Sequence, residues 1–138
     1  FSDGPEENRI GRTGYLSSPM TLVSMMDLLA DRLDMDPEQI RAVGRPDTMI
    51  HKVGICTGAG ADLMDLAIKN ECQLFLTGDL KYHDAQKAKA CGLAVIDAGH
   101  YGTEKSFAGN FAEKLRAKVA DGIEIIQSEV DIAPFEMI

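Results

Sequence analysis

The segment "DAGHYGTEK", residues 97–105, holds a histidine and a glutamate four positions apart, directly after an apolar run. His100 and Glu104 offer a neutral nitrogen and an anionic oxygen, which are ligand types that divalent metals accept. The alternative is an ordinary helix start, with Thr103 or a neighbour as the cap and Glu104 near the positive end of the helix dipole. Two ligands alone do not hold a metal tightly, so the spacing leaves both interpretations open.

A second polar segment, "TGDLKYHD", follows another apolar run. Asp79 is well placed as the N-cap of a helix that begins at Leu80, and capping alone would explain it. His83 would lie one turn further along that helix. With Lys81 nearby it could contact a substrate phosphate, but a solvated helix face explains it equally well.

The third segment, "GICTGAGAD", places several glycines where a strand turns into a helix. The N–H groups of Gly58 and Gly60 could hold an anion there, at the N-terminus of the helix. The spacing matches neither the dinucleotide-binding fingerprint nor the phosphate loop. A tight turn packed closely against the sheet is the simpler interpretation.

These three segments fit an alternation of strands and helices. Strand patterns occur at "IHKVGICTG", "QLFLTG", "LAVIDAG" and "IEIIQS". Helix patterns lie between them at "ADLMDLAIKNE", "KYHDAQKAKACG" and "TEKSFAGNFAEKLRAKVADG", with Gly92 as a C-terminal stop. The alternation predicts an α/β fold with a layered, largely parallel sheet flanked by helices. In such a sheet the polar segments would meet at the carboxyl edge, where α/β proteins bind ligands.

The upstream part predicts one long helix. In "SSPMTLVSMMDLLADRLDMD", Ser17 or Ser18 would cap the helix and Pro19 would lie in its first turn. Its buried face would consist of apolar residues at helical spacing: Leu22, Val23, Met26, Leu29 and Leu33. "QIRAVG" predicts a short strand and "RPDT" a turn.

Composition narrows the functional class. The 138 residues suit one domain, and no apolar run reaches the length of a membrane span. The balance of 14 Lys+Arg against 22 Asp+Glu, a net charge of -8, argues against nucleic-acid binding. Three widely spaced cysteines, Cys56, Cys72 and Cys91, predict small buried thiols in a reducing cytoplasm.

The block "LTGDLKYHDAQKAKACGLAVIDAGHYGTE" is similar to the C-terminal signature of the Nif-three-like family, whose bacterial members are called GTP cyclohydrolase 1 type 2 homologs. A glycine-aspartate-x-x-x-histidine pattern stands at Gly78, Asp79 and His83. An aspartate-x-glycine-histidine-x-x-x-glutamate pattern runs from Asp97 to Glu104. Upstream, "GICTGAGADLMDLA" and "RIGRTGYLSSPMTL" resemble the family's glycine turn and the segment after an inserted domain in its longer members.

The resemblance implies a Nif-three-like lobe with a mixed sheet, two divalent metal ions (zinc or iron) in each intact subunit, and a toroidal hexamer. Carried over, His100 binds one ion and Glu104 bridges both. The family's other ligands, a His-His-Pro pair and an aspartate, have no counterpart in this sequence. The chain is therefore expected to be the C-terminal part of a longer protein, with half a site and weak metal binding of its own. Residues 1–18 would be a linker after the missing part, and residues 19–138 the lobe itself.

Two functions follow as expectations. In the first, the chain belongs to a metal-dependent hydrolase of a nucleotide-like or phosphorylated small molecule, in which Asp79, His83 and Asp97 orient the ligands or contact the substrate. In the second, the metal is structural and the ring is a scaffold for partners. A third possibility is nucleotide binding at the turn of Gly58 and Gly60 without metal.

Overall fold

A computed structural model describes residues 10–119 and 122–135. By its internal contacts the chain divides into two compact units, residues 1–103 and residues 104–138. The strands are β1 (Arg12–Thr21), β2 (Arg41–Val43), β3 (Met49–Ile55), β4 (Leu74–Thr77) and β5 (Ala94–Asp97). The α-helices are α1 (Leu22–Leu33), α2 (Met64–Lys69), α3 (Tyr82–Ala90), α4 (His100–Glu104) and α5 (Phe107–Arg116).

The five strands form one mixed sheet in the order β1-β3-β4-β5-β2. The three central strands run parallel, whereas β1 and β2 pair antiparallel at the two edges. The predicted α/β fold with a mixed sheet is confirmed. Because β3, β4 and β5 are parallel neighbours, the loops after them leave the same edge of the sheet.

Both faces of β4 and β5 are buried, and successive side chains of β4 enter different cores. Along β4, Leu74 and Leu76 pack with α1 residues such as Leu22 in one core. Phe75, between them, packs with Met64 of α2 in the other core and is 0% exposed. Burial of a side chain of this size contributes about 1.5–3 kcal/mol to folding. This burial on both faces explains the near-continuous apolar strands in the sequence.

The upstream helix is shorter than its sequence pattern predicted. Residues 12–21 form β1, and α1 begins only at Leu22, with Thr21 as the N-cap accepting a hydrogen bond from the N–H of Ser24 at 3.2 Å. Capping by Ser17 or Ser18 and helical placement of Pro19 were therefore wrong. The proline is tolerated because β1 is an edge strand whose register shifts between Tyr15 and Met20.

The predicted buried face of α1 was also partly wrong. Leu22, Met25 and Ala30 are buried, whereas Val23 is 47% exposed. Met26, Leu29 and Leu33 are half-buried against the same core. The buried face of α1 therefore includes Leu22, Met25 and Ala30, and Val23 lies outside it.

Two predictions near the C-terminus were wrong. "IEIIQS" is not a strand: residues 123–128 have no regular secondary structure, and both edges of the sheet are already occupied by β1 and β2. The long helix pattern over residues 103–122 is divided into α4 and α5 by the turn at Lys105 and Ser106. The hydroxyl of Thr103 bonds back to the carbonyls of Gly99 and His100, a contact that disturbs helices.

The remaining expectations have mixed outcomes. β2 and the turn at residues 45–48 form where the pattern placed them. Of the three thiols, Cys72 is buried, Cys56 is half-buried and Cys91 is exposed, so uniform burial was wrong.

Residues 1–9 of the expected linker lie outside the described residues, and residues 12–18 belong to β1. Within the ranges 10–119 and 122–135, no helix is long and apolar enough to cross a bilayer.

Candidate functional site

Hydrogen bonds between threonine hydroxyls and glycine backbones join the loops that follow β3, β4 and β5. Thr77 Oγ1 donates to the carbonyl of Gly58 at 3.1 Å and accepts from the N–H of Gly60 at 3.0 Å. The N–H of Gly58 donates to Thr103 Oγ1 at 2.9 Å, and its carbonyl also accepts from the N–H of Gly78 at 2.8 Å. The three polar segments are therefore gathered at one edge of the sheet.

The glycine turn uses its N–H groups inside the protein. Those of Gly58 and Gly60 donate to Thr103 and Thr77, which removes the donors that an anion would need. A Cβ atom at Gly60 would lie 2.6 Å from the Cβ of Cys56 and 2.8 Å from Thr77 Oγ1. The structure thus explains Gly60 by close packing, as the simpler interpretation of the turn required.

Another close backbone approach aligns the loops after β4 and β5. A Cβ atom at Gly78 would lie 2.6 Å from the carbonyl carbon of Gly99 and 2.7 Å from the nitrogen of His100. The next residue, Asp79, has φ +53°, the left-handed region that aspartate tolerates better than most residues. Its Oδ2 then lies 2.7 Å from Nδ1 of His100.

This contact determines the tautomer of His100. An ionised carboxylate only accepts hydrogen bonds, so Nδ1 of His100 is the donor to Asp79. In the neutral imidazole the lone pair is consequently on Nε2. A carboxylate that holds one ring nitrogen while the other carries the lone pair is the arrangement found around metal-binding histidines.

The capping explanation for Asp79 is contradicted. Helix α3 begins at Tyr82, its N-cap is Lys81, and no side chain caps it. Asp79 lies two residues before that cap and bonds to His100 instead.

The buried carboxylate of Asp97 contacts two loops and β2. It is 2% exposed, and its two oxygens accept from the N–H groups of Gly99 at 3.0 Å and Leu80 at 3.1 Å. The guanidinium of Arg41 forms an ion pair with the same carboxylate and also approaches the carbonyl of Leu80 at 3.4 Å. Leu80 follows Asp79 and Gly99 precedes His100, so Asp97 positions the peptides on either side of the Asp79–His100 contact.

His100 and Glu104 are the first and last residues of α4. Because Glu104 is at the C-terminal end of this helix, attraction to a positive helix dipole does not explain it. Thr103 is not a cap either, since it lies inside α4 and joins it to Gly58. Glu104 is exposed and is the first residue of the second compact unit.

His83 lies apart from this arrangement. It is exposed on α3, where its Nδ1 is 3.3 Å from Gln86 Oε1 and its ring packs edge-on against Tyr82. These contacts within one helix match the solvated-face interpretation. Across residues 10–119 and 122–135, no three His, Cys, Asp or Glu side chains converge as a metal cluster.

The sequence analysis missed Thr77 and Arg41, and it considered Thr103 only as a helix cap. Thr77 ends an otherwise apolar strand and precedes Gly78, and a threonine in that position is a usable signal for a hydroxyl that bonds to a neighbouring loop. Arg41 carries a weaker signal, a charged residue in the short strand pattern "QIRAVG".

A family model for "Duf34/NIF3 (NGG1p interacting factor 3)" matches residues 3–134. The chain belongs to the DUF34/NIF3 family. A relative from Bacillus subtilis (strain 168), named GTP cyclohydrolase 1 type 2 homolog, is 36% identical over 134 residues. That match covers 95% of this chain and 35% of the relative. A relative of the same name from Clostridium perfringens is 31% identical, with 96% of this chain and 50% of the relative covered.

Solved structures of other proteins have the same fold. The Bacillus cereus protein related to NIF3 superposes with a TM-score of 0.77 at 29% identity, over 93% of this chain and 36% of that one. Staphylococcus aureus protein SA1388 gives a TM-score of 0.79 at 25% identity, over 93% of this chain and 42% of that one. The chain therefore spans between about a third and a half of the length of these four proteins.

Proposed function

We propose that this chain supplies His100 and Glu104 as ligands to a divalent metal centre, zinc or iron, whose remaining ligands come from outside the 138 residues. The complete protein would be a metal-dependent hydrolase of a nucleotide-like or phosphorylated small molecule. The hydrogen bond of 2.7 Å between Asp79 and His100 carries the proposal, because it orients the imidazole as a metal ligand.

The contact between His100 and Asp79 is better explained by metal binding than by a contribution to stability. The side chains of His100 and Asp79 are 52% and 54% exposed, and an exposed pair of this kind contributes only about 0–1 kcal/mol to stability. The left-handed backbone of Asp79 costs about 1–2 kcal/mol. The contact with His100 therefore stabilises the fold by no more than the backbone of Asp79 costs. Strained residues of this kind are typical of functional sites, where the orientation of a side chain matters.

The chain would contribute half of the centre. His100 supplies a neutral nitrogen, Asp79 keeps the proton on Nδ1, and Glu104, four positions further along, supplies a carboxylate. Two metal ions at such a centre would supply an activated water and polarise a phosphoryl or carbonyl oxygen. Family members named GTP cyclohydrolase 1 type 2 homolog point to nucleotides within this substrate class.

A second candidate function is a metal-stabilised ring that serves as a scaffold. The observation that favours it is in the second compact unit, where Phe107 and Phe111 stack at 5.4 Å while 68% and 49% exposed. Exposed aromatic side chains of this size are typical of surfaces covered by another chain. Self-assembly of the complete protein, as a toroidal hexamer, is compatible with either function.

Glu104→Gln in a full-length protein carrying these residues separates the two functions. The change removes the charge of the carboxylate and keeps its size, and Glu113→Gln on α5 is the matched control. Loss of hydrolysis with an intact assembly supports the enzyme. Dissociation of the assembly in Glu104→Gln, but not in Glu113→Gln, supports the structural metal. Full metal content and activity in Glu104→Gln would contradict the proposed ligand.

A further inference from the structure

A surface cavity of about 290 Å³ lies between β2, the loop after β4 and the first turn of α3. It is lined by Arg41, Ala42, Val43, Leu80, Lys81, Tyr82, Ala85 and Asp97. All of these residues belong to the first compact unit. The metal proposal does not use this cavity.

The guanidinium of Arg41 is held in place at the cavity. It reaches Asp97 and the carbonyl of Leu80, both through Nη2, while 70% of the side chain stays exposed. Within the described part of the chain, Nη1 and Nε make no further contact and keep their N–H donors. The charge of Asp97 is offset by Arg41 and by the N–H groups of Leu80 and Gly99, so the carboxylate does not make the cavity anionic.

Further donors line the same cavity. Lys81 is exposed, and its ammonium has no acceptor among the residues that the structure describes. The hydroxyl of Tyr82 accepts from Gln86 at 3.1 Å, which leaves its own hydrogen to donate. The first turn of the nine-residue helix α3 has no side-chain cap, and its N–H groups add partial positive charge.

The rest of the lining is apolar, with Val43 and Ala85 as walls. A phosphoryl group suits the cationic side, because guanidinium, ammonium and phenol groups all donate to phosphate oxygens. The volume exceeds that of a phosphate, and the apolar wall suits the organic part of the molecule. We infer that this cavity binds the phosphoryl group of a phosphorylated small molecule, with Arg41, Lys81 and Tyr82 as its donors.

The cavity shares residues with the loops that hold His100. Leu80 lines the cavity and follows Asp79, while Asp97, also in the lining, bonds to the N–H of Gly99, the residue before His100. The cavity is thus lined by residues that also hold the two loops in which Asp79 and His100 lie. As a substrate site this inference rests on the proposed function, but phosphate binding by itself does not need a metal.

The test is a calorimetric titration of the protein with inorganic phosphate and with phenyl phosphate, at constant ionic strength and with a chelator present. Lys81→Ala is compared with Lys89→Ala, which removes the same charge from the other end of α3. We expect saturable binding, tighter for phenyl phosphate, and a loss of about fivefold or more in Lys81→Ala. Lys89→Ala should stay within about twofold of the unaltered protein, since only screened long-range charge is removed.

Tyr82→Phe is a second variant, because it removes one hydroxyl and leaves the fold and charge unchanged; we expect a smaller loss than in Lys81→Ala. Equal effects of Lys81→Ala and Lys89→Ala, or no saturable binding of either probe, would overturn the inference. Zinc titration of a full-length protein that carries these residues, without chelator, separates the two proposals, because this chain alone is expected to bind zinc weakly. Phosphate binding without zinc binding would refute the metal centre alone, and zinc binding without phosphate binding would refute the cavity alone.

Discussion

Asp79 Oδ2 lies 2.7 Å from Nδ1 of His100, although the two residues are 21 positions apart in the chain. The contact is possible because Gly78 packs directly on the peptide that joins Gly99 to His100. Asp97, buried beneath, holds the peptides on both sides. Buried backbone contacts thus determine the geometry of this exposed pair. In this way a folded protein orients a metal-ligating side chain before the metal binds.

Asp79→Asn should weaken zinc binding about tenfold in a full-length protein that carries these residues. An amide is a weaker acceptor than a carboxylate, so the imidazole is less firmly oriented and less basic. Asp65→Asn, which removes an exposed carboxylate paired with Lys87, is the matched control. Calorimetric zinc titration checks the result, and equal affinities in the two variants would contradict the role of Asp79.

Gly78→Ala should lower both the stability and the zinc affinity of a full-length protein that carries these residues. The added methyl group would meet the backbone of Gly99 and His100 at 2.6–2.7 Å, so the loops must separate, at a cost of about 1–3 kcal/mol. Gly14→Ala is the control, since a Cβ atom there has nothing within 4 Å. Urea unfolding and zinc titration of both variants provide the comparison. An unchanged midpoint for Gly78→Ala would show that the loops are not tightly apposed.

Thr77→Val should destabilise the protein by about 1–3 kcal/mol, although it preserves the size of the side chain. It removes a fully buried hydroxyl that donates to the carbonyl of Gly58 and accepts from the N–H of Gly60, so both backbone groups lose a hydrogen bond. Thr77→Ser keeps that hydroxyl and loses only a methyl group, so we expect a smaller loss. Chemical denaturation measures both, and a larger loss in the serine variant would contradict the hydroxyl's role.

The cysteines should react with a thiol reagent in the order of their exposure. Cys91 is exposed and should react first, whereas burial raises the pKa of the Cys72 thiol. The thiolate is the reactive form, so near neutral pH Cys72 is both covered and protonated. Raising the pH should accelerate its labelling only as the pH approaches the raised pKa. Mass spectrometry of timed samples checks the order, and early labelling of Cys72 would contradict its burial.

Local patterns predicted the sheet well. The apolar runs that became β3, β4 and β5, and the glycine stop at Gly92 after α3, depend on short-range periodicity and backbone freedom. The parallel order that the alternation predicts places the three polar loops at one edge of the sheet.

The errors occurred where tertiary contacts override local preference. Residues 12–21 contain Ser17, Ser18 and Pro19, a helix-start pattern, yet they pair with β3 as an edge strand. Asp79 has the sequence position of a cap, but its left-handed backbone turns it towards His100. Neither outcome is visible in sequence spacing, because both depend on residues more than 20 positions away.

The metal content of this chain, and of a full-length family member that carries the same residues, tests the central proposal most directly. Both are purified without chelator or nickel resin and analysed by elemental mass spectrometry. We expect about two ions per full-length subunit and few in this chain, because a centre that lacks half of its ligands binds metal weakly. Metal-free protein in both samples would mean that His100 and Glu104 are ordinary helix residues.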